Sequence, residues 1–218
     1  DTGSSFQTTF DGSFTISCWI KPVDGNPDSE RSVFGTDNAD NSDGIYSNIR
    51  TDGKIGFYYE SNNGRAEAIT SSALFSDGAT VWTHVALVAN GSNLLIYING
   101  NPVAVTGGSL FGITMSDWTS TDEVFIGATD NNGSSEDFFG GKIDEVRIWN
   151  DVRIDAEILA NYNRSIASPY AEGNMVLYYP LNIGTGLVAF DLSSSGFHGA
   201  LVNMTGSYWV TGHSTSLS

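Results

Sequence analysis

Residues 82–104 read WTHVALVANGSNLLIYINGNPVA. Two apolar runs in this stretch are separated by Asn90-Gly91, and a second Asn-Gly pair follows at 99–100. Asn-Gly accepts the positive φ angles of a two-residue hairpin turn, and between apolar runs it is the strongest local hairpin signal. The stretch therefore predicts three consecutive antiparallel strands, near 82–89, 93–99 and 102–105.

Turn-forming residue pairs of the same kind occur along the whole chain. Asp-Gly and Asn-Gly pairs recur at short intervals between segments rich in alternating apolar residues. One segment, 151–165, instead has Ile158, Leu159 and Tyr162 at helical spacing and predicts a short helix. We predict an all-β fold, a two-sheet antiparallel jelly-roll sandwich with one short covering helix. Its further strands are expected near 13–21, 31–36, 44–50, 54–60, 66–70, 123–128, 142–149, 175–181 and 200–203.

The length of the chain fits one domain. A sequence of 218 residues is comfortable as one large β-sandwich, and no linker-like tract divides it. We predict a single domain over residues 1–211 and a flexible tail over 212–218. No stretch approaches the roughly 20 consecutive apolar residues of a membrane-spanning helix.

The composition is strongly acidic. The formal net charge is −16 and the pI is about 4.2. This balance disfavours nucleic acid and anionic membranes as partners, because both would be repelled. It suits bound cations, although acidity alone also keeps a secreted protein soluble. The single cysteine, Cys18, excludes an internal disulfide, and its phase with Phe14 and Ile16 predicts a buried thiol.

A second informative run is GKIDEVRIWN, residues 141–150. Strict alternation places Asp144 on the inward face with Val146 and Ile148. A carboxylate buried in that way needs a cation or several N–H donors. The same alternation places Glu145 and Arg147 on the outward face, where they are expected to form an ordinary surface ion pair.

Several runs taken together resemble a known group of proteins. FTISCWIKP, the stretch 82–104, EVFIGA, FFGGKIDEVRIWN and DVRIDAEILANY occur in an order similar to that of the concanavalin A-like jelly rolls of the laminin G-like and pentraxin group. The runs GNMVLYYPLNIG and ALVNMTGSYWV resemble the closing strand pair of that group. The resemblance implies a scaffold whose members bind glycans, proteins or phosphorylated ligands, commonly with calcium at the rim. Fold alone does not identify the ligand.

Two acidic loops and one strand residue are candidate calcium sites. TDNADNSDG and ATDNNGSSED concentrate the oxygen ligands that calcium prefers, and neither has the spacing of an EF-hand. A resemblance to laminarinase-like hydrolases implies a structural calcium on Asp144, completed near Asp11 and Gly12. The alternatives are that the loop residues only shape turns and that Asp144 accepts hydrogen bonds from backbone amides. The pentraxin resemblance implies these rim ligands: Asp43, Asp130, Glu136 and Asp137.

A candidate binding surface lies on the hairpin that the strands near 44–50 and 54–60 form. Its outward positions combine tyrosine rings with side chains that donate and accept hydrogen bonds in pairs, as sugar ligands require. Trp118, in a polar loop, adds an aromatic platform. The alternative is an ordinary polar outer face. The predicted ligand-binding residues are Tyr46, Asn48, Arg50, Tyr58 and Trp118.

Catalytic patterns are missing from the sequence. The paired-carboxylate run Glu-x-Asp-x-x-Glu of the glucanases does not occur, nor does a nucleophile elbow, a zinc-protease motif or a phosphate loop. We predict a non-catalytic, calcium-binding module that recognises a carbohydrate or glycoconjugate and belongs to a secreted or cell-surface protein. The alternatives are a structural or protein-binding adhesion module stiffened by calcium, and a divergent glycoside hydrolase.

Overall fold

The computed structural model describes residues 6–36, 44–78, 80–117, 123–131, 134–182, 184–204, 208–213 and 216–217, without the side chains of residues 117, 130, 131, 216 and 217. Its helices are α1 (Gln7–Phe10) and α2 (Asp155–Asn161), with 3₁₀ turns at Met115–Asp117 and Pro169–Ala171. The strands, in chain order, are β1 Phe14–Pro22, β2 Arg31–Thr36, β3 Gly44–Ile49, β4 Ile55–Ser61, β5 Gly64–Thr70, β6 Thr83–Ala89, β7 Leu94–Ile98, β8 Asn101–Pro102, β9 Val105–Gly107, β10 Val124–Ile126, β11 Thr129–Asn131, β12 Ser134–Glu136, β13 Gly141–Trp149, β14 Arg164–Ser165, β15 Met175–Tyr179, β16 Val188–Ala189, β17 Gly199–Ala200 and β18 Ser216–Leu217.

Two six-stranded sheets pack face to face. Sheet A has the order β15-β13-β1-β6-β7-β8, and sheet B has the order β10-β2-β3-β4-β5-β9. Every pairing within these two sheets is antiparallel. Three two-stranded sheets, β11-β12, β14-β18 and β16-β17, complete the described structure. The predicted all-β jelly-roll sandwich is confirmed.

The stretch 82–104 folds as its turn residues predict. Asn99 and Gly100 have φ angles of +49° and +81° and form the turn between β7 and β8. At the preceding turn, Oδ1 of Asn90 accepts hydrogen bonds from the amides of Ser92 and Asn93 at 3.0 and 2.8 Å. Local geometry at both Asn-Gly pairs therefore sets the register of these strands.

The core lies between the inner faces of the sheets and is rich in aromatic rings. The ring of Phe14 packs edge-on against that of Phe10, with 4.9 Å between centroids. Cys18 is 6% exposed, and burial raises the pKa of its thiol to about 12, which confirms the predicted buried thiol. The inward residues of β1 are Phe14, Ile16, Cys18 and Ile20.

Helix α2 lies over the outer face of sheet A and is shorter than predicted. Ile158 packs its side chain against this sheet. The residues before the helix are held by β1, because the hydroxyl of Thr15 donates to the carbonyl of Asp151 at 2.8 Å and accepts from the amide of Arg153 at 2.9 Å. The helix therefore begins only at Asp155. Within the described part of the chain, no helix is both long and apolar enough to cross a membrane.

A β-bulge in β13 overturns the predicted face of Asp144. Glu145 has a φ angle of +52°, and the register shifts so that Arg147 lies opposite Ser17 while Asp144 lies opposite Trp19. Directly opposed residues share a face of the sheet, so Asp144 lies on the outer face with Trp19. The predicted inward position is wrong, because the extra residue of the bulge breaks strict alternation.

The predicted surface ion pair of Glu145 and Arg147 is buried instead. Nη2 of Arg147 lies 2.6 Å from Oε2 of Glu145, and the two side chains are 2% and 6% exposed. Tyr178 donates its hydroxyl to the same carboxylate oxygen at 2.7 Å, and Nη1 of Arg147 donates to the carbonyl of Asn161 at 3.1 Å. The chain around the end of α2 covers the pair, and Ser165 completes its contacts.

Residues 212 and 213, which begin the predicted flexible tail, pack on sheet A. The ring of His213 stacks on that of Trp19, with 3.5 Å between centroids and 9° between planes. The amide of His213 donates to Oδ2 of Asp144 at 2.7 Å. Strand β18 also pairs in parallel with β14. A stacking surface on β1 and an acceptor on β13 thus contact His213, while the flexibility of the tail stays a prediction.

His84 lies on the same outer face and is protected from protonation. It is 3% exposed and lies opposite Trp19, with 5.5 Å between the ring centroids. Burial, together with the smaller effect of the charges of Arg147 and His213, lowers the pKa of His84 to about 3. The imidazole is therefore neutral in the folded protein near pH 7.

We expect this pKa shift to make the fold sensitive to acid. The unfolded chain binds a proton at His84 below about pH 6.5 and the folded protein only below about pH 3, so the free energy of unfolding should fall by about 1.4 kcal/mol per pH unit across that window. Asp144 gives the opposite slope, because burial raises its pKa in the folded protein from 3.8 to about 6. Between these two pH values the unfolded chain loses the proton more readily than the folded protein, so this residue lowers the free energy of unfolding as the pH rises.

A comparison with His84→Gln isolates the contribution of the histidine. Urea denaturation of both proteins, at about pH 7 and about pH 5, measures the two slopes. The variant should lose less stability on acidification than the wild-type protein. Equal losses would contradict a buried neutral His84.

Candidate functional site

The outer face of sheet B carries the polar cluster that the sequence predicts. In the register of β3, β4 and β5, Tyr46 lies opposite Tyr58, and Tyr58 lies opposite Glu67, while Glu60 lies opposite Arg65. The residues between them point into the core, so alternation assigns the faces of these strands correctly. This surface, the tyrosine face, is formed by Glu30, Tyr46, Asn48, Arg50, Tyr58, Glu60, Arg65 and Glu67.

Two tyrosine rings are layered on this face because a glycine leaves room for them. A Cβ atom at Gly56 would lie 2.5 Å from the ring of Tyr58. The Tyr58 ring therefore lies against the sheet and is 3% exposed. Tyr46 stacks on it with 4.4 Å between ring centroids and 14° between planes, and it remains partly exposed. The result is an aromatic surface whose outer ring borders solvent.

Two arginines hold the tyrosine pair in place. Nη2 of Arg65 donates to the hydroxyl of Tyr46 at 2.8 Å, and its guanidinium lies 5.1 Å from the centroid of the Tyr58 ring. Nη1 of Arg50 donates to the hydroxyl of Tyr58 at 2.9 Å. These hydrogen bonds and the cation–π contact fix the orientation of both rings. The surface is therefore formed before any ligand arrives.

Carboxylates neutralise both guanidinium groups. Nη1 of Arg50 lies 3.2 Å from Oε1 of Glu30, and Nη1 of Arg65 lies 3.0 Å from Oε1 of Glu60. Glu60 is buried, and burial raises the pKa of its carboxyl, while the positive charge of Arg65 opposes that shift. The tyrosine face thus presents paired charges and hydrogen-bonding groups beside an aromatic ring.

The structure brings together all of the predicted ligand-binding residues except Trp118, which lies outside the described residues. Asn48 donates from Nδ2 to the carboxylate of Glu30, and its Oδ1 is buried with no partner within the described part of the chain. Sequence reasoning missed Glu30, Arg65 and Glu67. In GRAEAIT the charged residues alternate with alanines, and this alternation indicates that Arg65 and Glu67 lie on the outer face. No pattern in the sequence marks Glu30.

The carboxylate of Asp144 does not fit the predicted calcium site. It accepts hydrogen bonds from the amide of Glu145 at 3.1 Å and from the amide of His213 at 2.7 Å. A Cβ atom on Gly212 would lie 2.1 Å from Oδ2, so the backbone closes directly over the carboxylate. Calcium needs six to eight oxygen ligands, and here N–H donors take their place. Asp144 therefore has the environment expected under the alternative to the calcium site, in which its carboxylate accepts hydrogen bonds from backbone amides.

Asp11 and Gly12 cannot complete a site on Asp144. They precede β1, whereas Asp144 lies opposite Trp19 in the second half of that strand. At about 3.3 Å per residue, the two places are roughly 20 Å apart along the strand. The predicted joint site is wrong, because antiparallel pairing brings the first part of β13 to the last part of β1.

The predicted rim ligands are described only in part. Asp43 and the side chain of Asp130 lie outside the described residues. Glu136 ends the β11–β12 hairpin and Asp137 follows it, and both side chains are exposed. Among the residues that the structure describes, no group of three His, Cys, Asp or Glu side chains could hold a metal ion. Calcium at this rim stays a prediction.

The packed sheets and the strand order define a concanavalin A-like jelly-roll domain with one open polar face. A laminin G-like family model, described as belonging to the concanavalin A-like lectin/glucanases superfamily, matches residues 2–159. The chain belongs to this superfamily, which confirms the resemblance found in the sequence. No significant match is found among curated proteins.

Solved structures share the fold at low sequence identity. The CBM40 domain of the Ruminococcus gnavus IT-sialidase, bound to α2,3-sialyllactose, has a TM-score of 0.57 and 21% identity and covers 73% of this chain and 91% of its own. A candidate carbohydrate-binding protein of Bacteroides ovatus has a TM-score of 0.60, 22% identity and coverages of 88% and 52%. A leech intramolecular trans-sialidase has a TM-score of 0.58, 22% identity and coverages of 84% and 28%.

Proposed function

We propose that this chain is a non-catalytic recognition domain that binds a glycan on the tyrosine face, within a secreted or cell-surface protein. The observation that carries the proposal is the partly exposed Tyr46 ring, which is stacked on Tyr58 and bordered by paired charges. Sugar rings pack their C–H faces on aromatic rings, and their hydroxyls pair with groups that donate and accept. Similar folds in a carbohydrate-binding module and in a candidate carbohydrate-binding protein support this class of ligand.

The charge distribution favours a neutral glycan. The guanidiniums of Arg50 and Arg65 already pair with glutamates on the tyrosine face. The chain also carries a formal net charge of −16, which would repel an acidic sugar. The Ruminococcus gnavus domain is bound to a sialylated ligand, so an array with both neutral and sialylated glycans distinguishes the two classes.

Replacing Tyr46 with Ala should weaken glycan binding at least tenfold. The substitution removes the solvent-facing ring on which a sugar would stack, and tenfold corresponds to about 1.4 kcal/mol. The array identifies a glycan, and calorimetry with that glycan measures the affinity of each variant. Tyr170→Ala is the matched control, because Tyr170 is 76% exposed in a 3₁₀ turn outside the tyrosine face. Unchanged affinity in Tyr46→Ala would place the binding site elsewhere.

Two outcomes would favour the other functions. Silence of the folded protein across the array, with and without calcium, would favour a structural or protein-binding adhesion module. Release of reducing sugar from β-glucans would contradict a non-catalytic domain and favour a divergent glycoside hydrolase.

We also propose that calcium binds beside the β11–β12 hairpin, with Asp43, Asp130, Glu136 and Asp137 as its ligands. Glu136 and Asp137 supply adjacent exposed carboxylates there, and calcium prefers such oxygen ligands. A site of this kind adds about 2.7 kcal/mol to stability when free calcium is about 100 times the dissociation constant.

Thermal unfolding with calcium and with a chelator tests the proposed rim site. Calcium should raise the Tm, and the double change Glu136→Gln and Asp137→Asn should reduce that rise. Asp77→Asn, at an exposed acid in a different turn, is the control. A Tm that does not respond to millimolar calcium would contradict the proposed calcium site. The glycan-binding proposal is tested separately by the glycan array.

A further inference from the structure

A groove lies at one side of the sandwich, between the edges of the two sheets. Sheet B ends there in β10, and sheet A ends in β15 beside β13. Residues of these strands form the floor of the groove, and its walls come from 138–139, 199–204 and 208–210. Its volume is about 300 Å³, the size at which small-molecule sites begin. This edge groove is separate from the tyrosine face, because none of its described lining residues belongs to that face.

The interior of the edge groove is continuous with the hydrophobic core. Ile126, Ile143 and Leu201 line the groove and are only partly buried, and all three also pack against the core cluster. Water in such an apolar space finds few polar partners, so its replacement by an apolar group is favourable. The groove therefore favours a ligand with an apolar body.

The walls of the groove expose apolar side chains to solvent. Five of these residues are 49–60% exposed, so their surface is open to a ligand. Single apolar side chains on a surface are common, but several around one concave site indicate a binding site. The aromatic rings among them offer flat surface to an apolar molecule. The five residues are Phe138, Val202, Met204, Tyr208 and Val210.

A pair of lysines supplies positive charge at the groove. Lys142 lines the groove, is exposed and lies opposite Lys21 in the register of β1 and β13. Like charges that face each other across two strands destabilise a sheet. In the described part of the chain neither lysine forms an ion pair, whereas Nζ of Lys54, the only other lysine, lies 3.3 Å from Oδ2 of Asp52. An anion beside Lys142 would relieve the repulsion between Lys21 and Lys142.

Asp144 also lines the groove but does not neutralise Lys142. Its carboxylate accepts hydrogen bonds from the amides of Glu145 and His213, and it forms no ion pair within the described residues. The net charge of −16 acts over longer distances, and salt at physiological strength screens it beyond about 8 Å. The local pair of lysines therefore determines which charge is favoured at the groove.

We propose that the edge groove binds a small amphiphile with an apolar body and one anionic group. The apolar body packs among the wall side chains, and the anionic group lies beside Lys142, where the charge of Lys21 adds to the attraction. A volume at the lower limit of small-molecule sites fits one short acyl chain better than a lipid with two chains. The proposal adds a ligand site that is independent of glycan binding on the tyrosine face.

The methyl signal of Met204 provides a direct reporter for this site. The chain has three methionines, of which Met204 lines the groove while Met115 and Met175 are buried elsewhere. In a protein with ¹³C-methyl-labelled methionine, Met204→Leu identifies the signal required. The probes are octanoate, 1-octanol and octylamine, each titrated to about 2 mM so that submillimolar affinities are measured. A chelator keeps calcium from binding the carboxylate. Octanoate should shift the Met204 signal in a saturable way, and octylamine should bind at least threefold more weakly.

Replacing Lys142 with Gln tests the role of charge in the groove. The variant should bind octanoate at least threefold more weakly and keep its affinity for 1-octanol, because only octanoate carries a negative charge. Lys54→Gln is the matched control, since Lys54 pairs with Asp52 and does not line the groove. The control should change neither affinity.

Replacing Phe138 with Ser tests the apolar wall. The variant should bind both octanoate and 1-octanol at least threefold more weakly, because both lose the same ring contact. Phe111→Ser is the matched control, since Phe111 is 95% exposed and does not line the groove. Both side chains are exposed, so both variants should fold, and near-UV circular dichroism checks this.

Three results would overturn the edge-groove proposal. The first is that octanoate does not shift the Met204 signal, which would leave the apolar walls to a partner protein. The second is that octylamine binds as tightly as octanoate, or that Lys142→Gln binds octanoate as Lys54→Gln does. The third is unchanged affinity in a folded Phe138→Ser variant. Each of these results would leave the glycan-binding proposal for the tyrosine face standing, since that proposal depends on Tyr46.

Discussion

Replacing Arg147 with Met should lower the free energy of unfolding by about 3–5 kcal/mol, because it leaves the carboxylate of Glu145 buried without its cation. The side chains of the pair are 2% and 6% exposed, and their closest atoms are 2.6 Å apart. In the variant, the hydroxyls of Tyr178 and Ser165 would be the remaining partners of the carboxylate. Two hydroxyl donors do not replace a guanidinium beside a buried carboxylate.

A double variant shows whether the lower free energy of unfolding comes from the unpaired charge of Glu145. Glu145→Gln combined with Arg147→Met removes both charges, and replacing both members of a buried pair is often close to neutral. The double variant should therefore be more stable than Arg147→Met alone. Urea denaturation measures all three proteins, with the m-value as the check that each unfolds in one cooperative transition. A loss below about 1 kcal/mol in the single variant would mean that the pair behaves as an exposed one.

Replacing Gly56 with Ala should abolish glycan binding on the tyrosine face and leave the fold in place. The added Cβ would lie 2.5 Å from the ring of Tyr58, so that ring would have to lift off the sheet and displace the ring of Tyr46 above it. Gly56 is not among the residues with positive φ, so alanine fits its backbone. The effect is thereby confined to the packing of side chains.

Gly173→Ala is the matched control for this change. Its added Cβ would meet no atom within 4 Å, and its φ angle is not positive. This variant should keep full affinity, and its stability should stay the same or rise by up to about 1 kcal/mol. Calorimetry with the glycan from the array compares the two variants. Normal affinity in a folded Gly56→Ala protein would show that the layered rings are not the binding surface.

Local rules in the sequence predicted most of the fold and the center of the candidate site. The Asn-Gly pairs fix hairpins through residues that tolerate positive φ, and alternation sorts the two faces of β3 and β4 without exception. Tyr46 and Tyr58 could therefore be placed together from their spacing alone. Arg65 and Glu67 follow from the same rule applied to β5.

Alternation failed in β13, where it depends on an unbroken ladder. Glu145 adopts positive φ without being glycine, so no residue in GKIDEVRIWN marks the bulge. One inserted residue moves Asp144 to the opposite face. The adjacent acids were the only hint, since two carboxylates in mid-strand need partners. Those partners, Arg147 and the amide of His213, become visible only in three dimensions.

The calcium site expected at Asp144 failed because strand register is a long-range property. A resemblance can place an acid in the right strand without showing which end of β1 lies beside it. The pairing of Asp144 with Trp19 separates it from Asp11 and Gly12 by most of the strand. The same limit applies to Glu30, which joins the tyrosine face only through its contacts with Asn48 and Arg50.

Chemical labelling of the single buried cysteine, Cys18, can report the rate at which the unmodified protein opens. Thiol reagents are attacked by the thiolate, and Cys18 combines 6% exposure with a pKa raised to about 12, so Cys18 of the folded protein reacts with them very slowly. Labelling of Cys18 then requires that β1, at the centre of sheet A, be opened. In an excess of reagent the rate of labelling measures how often the sandwich opens, without an engineered probe or a denaturant.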